Sequence, residues 1–246
     1  MSKNFELMQK AELDQEIFLN VHNGNGSHNG HKPGRLIDRI TKEETTKLVQ
    51  RLFLLPGTEA PRMVVFSGVE PGDGCTSICA RAAETLVAMG EGPCCVVDAN
   101  LRSPGVHEYF QIKNRSGLSE ALSQTGSLCD FTQQLYGGKL WVMTAGTTSS
   151  DPSTLLNSVA LPVRLAELRK EFTYVLIDAP PVNLFSDAAN LAKQSDGALL
   201  VLNSNSTRKE AARNSKELFE GAGVRVLGAV LNRRTFPIPQ GLYAKL

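Results

Sequence analysis

The sequence predicts an α/β domain with a doubly wound, mostly parallel sheet that is flanked by helices. Short runs of valine, isoleucine and leucine alternate with longer amphipathic stretches along the 246 residues, which is the pattern of strands and crossover helices. The runs are almost continuously apolar, as expected for strands buried on both faces of a parallel sheet. A glycine-rich turn joins the first of these strands to a helix, and two later strands end in aspartate.

The bulk composition fits one domain of this class. Hydrophobic residues make up 41% of the chain and charged residues 21%, which suits one sizeable core. The net charge of +1 provides no general attraction for nucleic acid or for an anionic membrane, so we expect no nucleic-acid partner. The chain shows no signal peptide, no long apolar span and no metal-ligand spacing among its five cysteines, so we expect a cytoplasmic protein without zinc.

Four regions are predicted along the chain. Residues 1–21 carry apolar side chains at close to helical spacing, which indicates an amphipathic helix that either packs on the domain or docks on a partner. Residues 22–35 are rich in glycine and asparagine and are expected to form a flexible linker. The α/β domain is expected to occupy residues 36–236, and residues 237–246 form a tail that contains Tyr243.

The elements of the domain follow in a regular order. A helix is expected from Ile40 to Leu55, with Thr41 as its N-cap and a capping-box glutamate three residues later. The strands expected after it are 63–66, 94–98, 139–143, 174–178, 197–203 and 224–231, and the helices are 78–89, 161–172 and 207–221.

The turn after the first of these strands, residues 67–77, has the composition of a phosphate-binding loop; we call it the glycine loop. It reads SGVEPGDGCTS. Glycines at its centre adopt positive φ readily and let backbone N–H groups approach an anion, and the following helix start adds its own N–H groups. The P-loop pattern G-x-x-x-x-G-K-[ST] is matched at Gly74 and Thr76, whereas Val69 stands at the first glycine and Cys75 at the lysine.

Two apolar strands end in aspartate, Asp98 in CCVVDANLRSP and Asp178 in YVLIDAPP. Ligands of α/β sheets bind beyond the carboxyl ends of the strands, so both carboxylates are expected in one crevice with the glycine loop. Carboxylates beside a phosphate need a cation, and Mg²⁺ accepts one or two carboxylates together with a hydroxyl such as that of Thr76. The alternative is that each aspartate only caps the helix that follows it.

These three segments resemble the nucleotide motifs of bacterial tyrosine kinases, the exopolysaccharide and capsule autokinases of the CpsD/CapB type. The loop of that family reads S-x-x-P-G-E-G-K-[ST], and Pro71, Gly72, Gly74 and Thr76 match it. The opening MSKNFELMQKAE resembles the amphipathic leader of the exosortase-associated branch. The resemblance implies a P-loop NTPase fold, with ATP and Mg²⁺ as cofactors.

The resemblance also implies a role for individual residues. Asp98 is implied to activate the acceptor hydroxyl, and Thr76, Asp98 and Asp178 to hold Mg²⁺. Arg102 is expected to neighbour the phosphates and Asn232 to lie where related ATPases read adenine. The residues implied to bind the nucleotide are Gly72, Asp73, Gly74, Cys75, Thr76, Ser77, Arg102 and Asn232. The implied phospho-acceptor is Tyr243 in the tail.

Partners are implied in the same way. The family has a membrane-embedded partner that sets polysaccharide chain length, through which the protein would lie peripheral to the inner membrane. A sister kinase or further copies of the chain are also implied. The family's ring-ordering motif E-x-x-R-x-x-R has its counterpart at Glu44, with Lys47 and Gln50 at the arginine positions.

Cys75 decides what activity the sequence predicts. The loop lysine places a positive charge on the β- and γ-phosphates, so its absence is expected to weaken ATP binding and, more strongly, turnover. The thiol is either a small uncharged filler or, at a helix N-terminus, a reactive thiolate with a lowered pKa. Two functions therefore stay open: a regulator of polysaccharide synthesis with a weakened kinase site, or an active autokinase that phosphorylates Tyr243.

Overall fold

The computed structural model describes residues 17–21, 34–54, 60–147 and 151–233. All the strands in these ranges belong to one sheet. It has eight strands. Their bounds are Ile17–Val21 (β1), Met63–Gly68 (β2), Cys94–Asp98 (β3), Gln133–Leu135 (β4), Leu140–Met143 (β5), Tyr174–Ala179 (β6), Gly197–Asn203 (β7) and Val226–Asn232 (β8).

The strands are arranged in the order β1, β8, β7, β2, β6, β3, β5, β4 across the sheet. Every neighbouring pair is parallel except β4 and β5, which are antiparallel. From β2 near the centre the chain first winds towards β3 and β5 and later returns to β7 and β8, so its crossovers cover both faces. The predicted doubly wound, mostly parallel fold is confirmed.

The helices connect these strands. Their bounds are Gly34–Val49 (α1, continued by a π-helix over Gln50–Leu54), Cys75–Met89 (α2), Val106–Phe110 (α3), Leu118–Ser123 (α4), Pro152–Leu156 (α5), Ala160–Glu171 (α6), Asp187–Ala192 (α7) and Lys209–Gly221 (α8). In the described ranges no helix is long and apolar enough to cross a membrane.

The core consists of two apolar layers, one on each face of the sheet. The central strand β2 supplies side chains to both: Met63 and Val65 pack in one layer, Val64 and Phe66 in the other. All four side chains are fully buried, which explains why the strand reads as an uninterrupted apolar run. The layers hold the carboxyl ends of the strands at one edge, where the site lies.

The predicted N-terminal helix is wrong for its last five residues. Ile17–Val21 form β1, and each pairs in parallel register with β8, from Ile17 opposite Gly228 to Val21 opposite Asn232. The run IFLNV is rich in residues that favour strands, and pairing satisfies backbone groups that β8 would otherwise leave at an edge. Residues 1–16 of the predicted helix lie outside the described residues.

The prediction of Thr41 as a helix N-cap is also wrong. The helix α1 begins at Gly34, so Thr41 lies inside it, and its carbonyl accepts a hydrogen bond from the Thr45 hydroxyl (2.8 Å). The apolar spacing of Leu36, Ile37 and Ile40 already has helical period upstream of Thr41. The predicted linker and tail, including Tyr243, fall outside the described residues, except that Gly34 and its neighbour belong to α1.

Candidate nucleotide site

The glycine loop takes the backbone conformation that its glycines predict. Gly72 and Gly74 have φ of 87° and 84°, in the left-handed region that disfavours every side chain with a Cβ. Gly74 is the N-cap of α2, which begins at Cys75. The first-turn N–H groups, which include those of Thr76 and the half-buried Ser77, have no partner within the helix and are available to bind an anion.

The Asp73 side chain braces the loop from inside. Its Oδ2 accepts hydrogen bonds from the backbone N–H groups of Val69 (3.0 Å) and Glu70 (2.8 Å), and the residue is 2% exposed. Burial raises the pKa of this carboxyl above its ordinary value, although these hydrogen bonds oppose the shift. The Asp73 carboxylate therefore already binds two of the backbone N–H groups at the start of the loop.

Asn232 joins the end of β8 to the same loop. Its side-chain amide donates to the Asp73 carbonyl (2.8 Å), and its carbonyl oxygen accepts from the backbone N–H of Arg233 (2.9 Å). Thr207 donates its hydroxyl to Asp73 Oδ1 (3.3 Å). Asn232 is fully buried, so the residue predicted to read adenine here positions the glycine loop.

The two strand-end aspartates lie side by side, as predicted. Asp98 and Asp178 are direct partners in the parallel register of β3 and β6, and both are buried. The backbone N–H of Ala99 donates to the Asp178 carbonyl (2.8 Å), which closes the ladder just beyond the two carboxylates. Burial and the Asp178 carboxylate raise the pKa of Asp98 well above its usual range, and burial raises the pKa of Asp178.

The residues around Asp178 fit a magnesium ion. Thr76 donates its hydroxyl to Asp178 Oδ2 (2.6 Å), whereas the buried Oδ1 of Asp178 has no hydrogen-bond partner. A buried carboxylate oxygen without a donor is costly unless a cation or water completes it. Mg²⁺ needs only one or two carboxylates from a protein, because it keeps waters and phosphate oxygens as its other ligands.

Asp98 also caps the helix that follows its strand, which is the alternative role of the strand-end aspartates. Its Oδ2 accepts from the backbone N–H groups of Gly105 (3.1 Å) and Val106 (3.0 Å), where α3 begins, and its Oδ1 accepts from Asn100 (3.2 Å). Each carboxylate oxygen has a second lone pair, so capping does not prevent metal binding. The loop held in this way brings Gly105 against the Thr76 side chain.

Cys75 lies beside the Asp178 carboxylate. Burial and this carboxylate raise the pKa of the Cys75 thiol well above its ordinary value. A reactive thiolate requires the opposite direction. The raised pKa therefore favours the uncharged filler over the redox-sensitive thiolate.

Arg102 is held by partners of its own. Its Nε donates to Asp187 Oδ2 (3.0 Å), a terminal nitrogen donates to the Ser153 hydroxyl (2.6 Å), and the guanidinium lies 4.3 Å from the ring centroid of Phe185. The Asp187 side chain is only 2% exposed. Sequence reasoning missed Asp187 and Ser153, since nothing local in the sequence indicates a pairing across 85 residues.

The fold and this site define a class, the P-loop nucleotide-binding α/β proteins. A structure of that class, the septum site-determining protein MinD with Mg-ADP from Pyrococcus horikoshii, has a TM-score of 0.57 and 21% identity over 74% of this chain and 75% of that chain. At this identity the likeness concerns the fold alone. No protein-family model matches the chain.

Curated relatives narrow the class. Tyrosine-protein kinase YwqD of Bacillus subtilis is 30% identical over 171 residues, which are 70% of this chain and 72% of that protein. Tyrosine-protein kinase CpsD of Streptococcus pneumoniae is 27% identical over 188 residues, 74% of this chain and 81% of that protein. The chimerical protein CapA2B2 has a TM-score of 0.80 and 26% identity over 93% of this chain and 99% of that chain. The chain belongs to the bacterial tyrosine kinase family.

A pH dependence follows from the paired carboxylates. The folded protein keeps protons on Asp98 and Asp178 at a pH where the unfolded chain has released them, so the free energy of unfolding falls as pH rises from about 4 through the raised folded-state pKa values. In Asp178→Asn one of the two charges is absent. We expect thermal melts in EDTA to show that the free energy of unfolding of this variant, relative to that of the wild type, rises by about 1–2 kcal/mol from pH 5 to pH 8.

The matched control is Asp196→Asn, because its carboxyl has the opposite behaviour. Although burial opposes it, hydrogen bonds from the backbone N–H groups of Met63 and Arg62 lower the pKa of Asp196. Its contribution to stability is present above about pH 4 and is lost as the pH falls below that value. The stability difference between this variant and the wild type should therefore be constant from pH 5 to pH 8. An Asp178→Asn profile parallel to that of the wild type would contradict the coupling of the two buried carboxylates.

Proposed function

We propose that this chain regulates exopolysaccharide or capsule biosynthesis with a bacterial tyrosine kinase site whose ATP binding and turnover are weakened. The observation that carries the proposal is Cys75, an uncharged side chain at the position of the loop lysine. Phosphoryl transfer depends mainly on positioning and on neutralising the charge of the phosphates. A site without that cation still positions the phosphates but neutralises much less of their charge.

The charge balance of the glycine loop supports weakening. Residues 67–77 contain two carboxylates, Glu70 and Asp73, and no lysine or arginine. Glu70 is exposed, whereas Asp73 is buried and holds two loop N–H groups. A charged hydrogen bond is worth about 1.5–3 kcal/mol, so the missing lysine alone corresponds to roughly 10- to 100-fold in ATP affinity.

The features that remain support weak binding rather than none. The two left-handed glycines, the helix start at Cys75 and the pair of Thr76 with Asp178 are all in place. Bound Mg²⁺ would supply positive charge between the phosphates and the carboxylates. We therefore propose ATP and Mg²⁺ as cofactors, with reduced affinity.

Arg102 is a poor substitute for the lysine. To reach a phosphate it would have to leave Asp187, whose carboxylate is buried and would lose its cation. Breaking a buried ion pair in this way costs about 3–5 kcal/mol, more than the charged contact that it would gain. Arg102 accordingly fastens the loop after Asp98 to α7 in our proposal.

A site that turns over ATP slowly suits a protein that acts by binding other proteins. The partners we propose are the membrane-embedded protein that sets polysaccharide chain length in this family, and an active sister kinase or further copies of the chain. The first two positions of the ring-ordering counterpart pair with each other inside α1, Glu44 with Lys47 at 2.6 Å. That pairing leaves both charges less available to a neighbouring subunit than an unpaired glutamate and arginine would be.

The second candidate is an active autokinase that phosphorylates Tyr243. The observation in its favour is the retained pair of Asp98 and Asp178. A carboxylate whose pKa is raised by burial and by a like charge suits a general base near neutral pH. In this alternative Asp98 accepts the proton of the Tyr243 hydroxyl, and a cation other than the loop lysine neutralises the charge of the phosphates.

The direct test is Cys75→Lys, which returns a cation to the site. We expect the variant to bind ATP with Mg²⁺ at least about tenfold more tightly than the wild type, in line with one regained charged contact. It should also hydrolyse ATP or label Tyr243 faster. Isothermal titration calorimetry measures the affinity, and melting temperature reports any strain from the longer side chain.

Cys75→Met is the matched control, because it adds length without charge and should leave the ATP affinity unchanged. A folded Cys75→Lys variant with wild-type affinity would show that the site differs from active kinases in more than this residue. A wild type that already binds and turns over ATP as well as Cys75→Lys would overturn the proposal and favour the autokinase.

Arg102→Ala separates a substitute cation from a structural one. If Arg102 only fastens its loop, the variant should keep its ATP affinity within about twofold while its melting temperature falls, because Asp187 is left buried and unpaired. The double variant Arg102→Ala, Asp187→Asn should recover part of that stability. A tenfold loss of ATP affinity with little change in melting temperature would mean that Arg102 has replaced the lysine.

A further inference from the structure

Two tyrosines share one carboxylate on the outer side of α2. Glu84 accepts hydrogen bonds from the hydroxyl of Tyr109 (3.0 Å to Oε2) and from that of Tyr136 (2.5 Å to Oε1). Tyr109 belongs to α3, and Tyr136 begins the turn Tyr136–Gly138 between β4 and β5. The cluster therefore joins three elements of the domain, and none of the roles assigned above uses it.

Tyr136 is the accessible member of the cluster. It is 56% exposed, whereas Tyr174 is 8% exposed and lies in a central strand. Tyr109 is half-buried and packs edge-on against Phe110. Among the tyrosines that the structure describes, Tyr136 thus presents the most open ring to an approaching active site.

The backbone around Tyr136 is suited to opening. Tyr136 has φ of 49°, and the next two glycines have φ of 67° and 83°. A non-glycine residue in the left-handed region is strained, so contacts of the residue must hold it there. The hydrogen bond of its hydroxyl to Glu84 is such a contact, and its loss lets the turn relax.

We propose that Tyr136 is a phospho-acceptor for an active tyrosine kinase, and that phosphorylation there detaches the turn Tyr136–Gly138 from Glu84. The phenolic oxygen attacks the γ-phosphorus of ATP held by that kinase, forming one O–P bond while the bond from the γ-phosphorus to the bridging oxygen of ADP breaks. The phenolic proton passes to a carboxylate of the kinase. This inference rests on the proposed function, in which the chain acts beside an active sister kinase.

Charge explains why the modification would act as a switch. A phosphorylated tyrosine carries about −1.5 to −2 charges and is repelled by the Glu84 carboxylate to which its hydroxyl was bonded. Arg81, one turn before Glu84, interacts with the other tyrosine of the cluster, Tyr109. Glu84 lies on the same helix that begins at Cys75, so a change at Tyr136 bears on the helix behind the glycine loop. Tyr109 keeps its own hydrogen bond to Glu84 and holds α3 in place.

The acceptor can be assigned without ambiguity, because each tyrosine falls in its own tryptic peptide. The full chain is incubated with ATP, Mg²⁺ and a purified family kinase that labels its own tail, and the digest is analysed by mass spectrometry. Tyr136 is the only tyrosine of the peptide 116–139. The other three peptides are 103–113 with Tyr109, 171–193 with Tyr174 and 235–245 with Tyr243.

We expect phosphate on peptide 116–139 and none there in Tyr136→Phe, a variant that keeps the ring and the exposed surface. In Glu84→Gln the hydroxyl is held by a weaker, uncharged hydrogen bond, so labelling of Tyr136 should be about fivefold faster than in the wild type. Labelling of the buried Tyr174 should stay absent in all variants, which controls for unfolding.

Phosphate on peptide 235–245 with none on 116–139 would overturn this inference and leave the proposed function standing. Absence of phosphate from all four peptides, while the kinase labels its own tail, would overturn it too. Phosphate on 116–139 with ATP alone, at a rate that the added kinase does not change, would support Tyr136 as acceptor and contradict the weakened site.

Discussion

Asp98 is the last residue of β3 and pairs in direct register with Asp178, the last residue but one of β6. The burial of both carboxylates is the constraint on which the rest of the site depends. Two like charges on adjacent strands in a poorly solvated crevice repel each other, and burial favours the protonated forms of both carboxyls. The chain eases the repulsion with three backbone N–H groups on Asp98 and the Thr76 hydroxyl on Asp178. One oxygen of Asp178 is left without a donor. A crevice so arranged gains free energy when a divalent cation enters it.

The glycine loop borders this crevice. Its backbone has the conformation of a phosphate-binding loop, but it contains no lysine or arginine. Asp73 and Asn232 fix the loop from two sides, so its geometry does not depend on the residue at position 75. Cys75 then adds an uncharged thiol next to Asp178. The loop therefore keeps the shape of a phosphate-binding site while its side chains carry net negative charge, which links the local structure to the weak ATP binding that we propose.

Much of this could be predicted from the sequence, because the strongest signals are local. The apolar runs of β2, β6 and β7, and the aspartates at the ends of β3 and β6, follow directly from burial and from the polarity of the crevice. The first strand could not be predicted from the sequence, because the segment IFLNV is also compatible with the end of a helix. Its pairing with β8, which is distant in sequence, makes it a strand. The partners of Arg102, and the carboxylate that links Tyr109 to Tyr136, join residues distant in sequence and leave no local pattern.

Calorimetric titration of the unmodified chain with ATP, with and without Mg²⁺, tests the central claim most directly. We predict binding that requires Mg²⁺, is lost in Asp178→Asn and is roughly 10- to 100-fold weaker than that of a family kinase that keeps the loop lysine, since one charged contact of roughly 1.5–3 kcal/mol is missing. Affinity equal to that of such a kinase would contradict the weakening. Affinity that is equal with Mg²⁺ and with EDTA, or that survives in Asp178→Asn, would contradict the metal site itself.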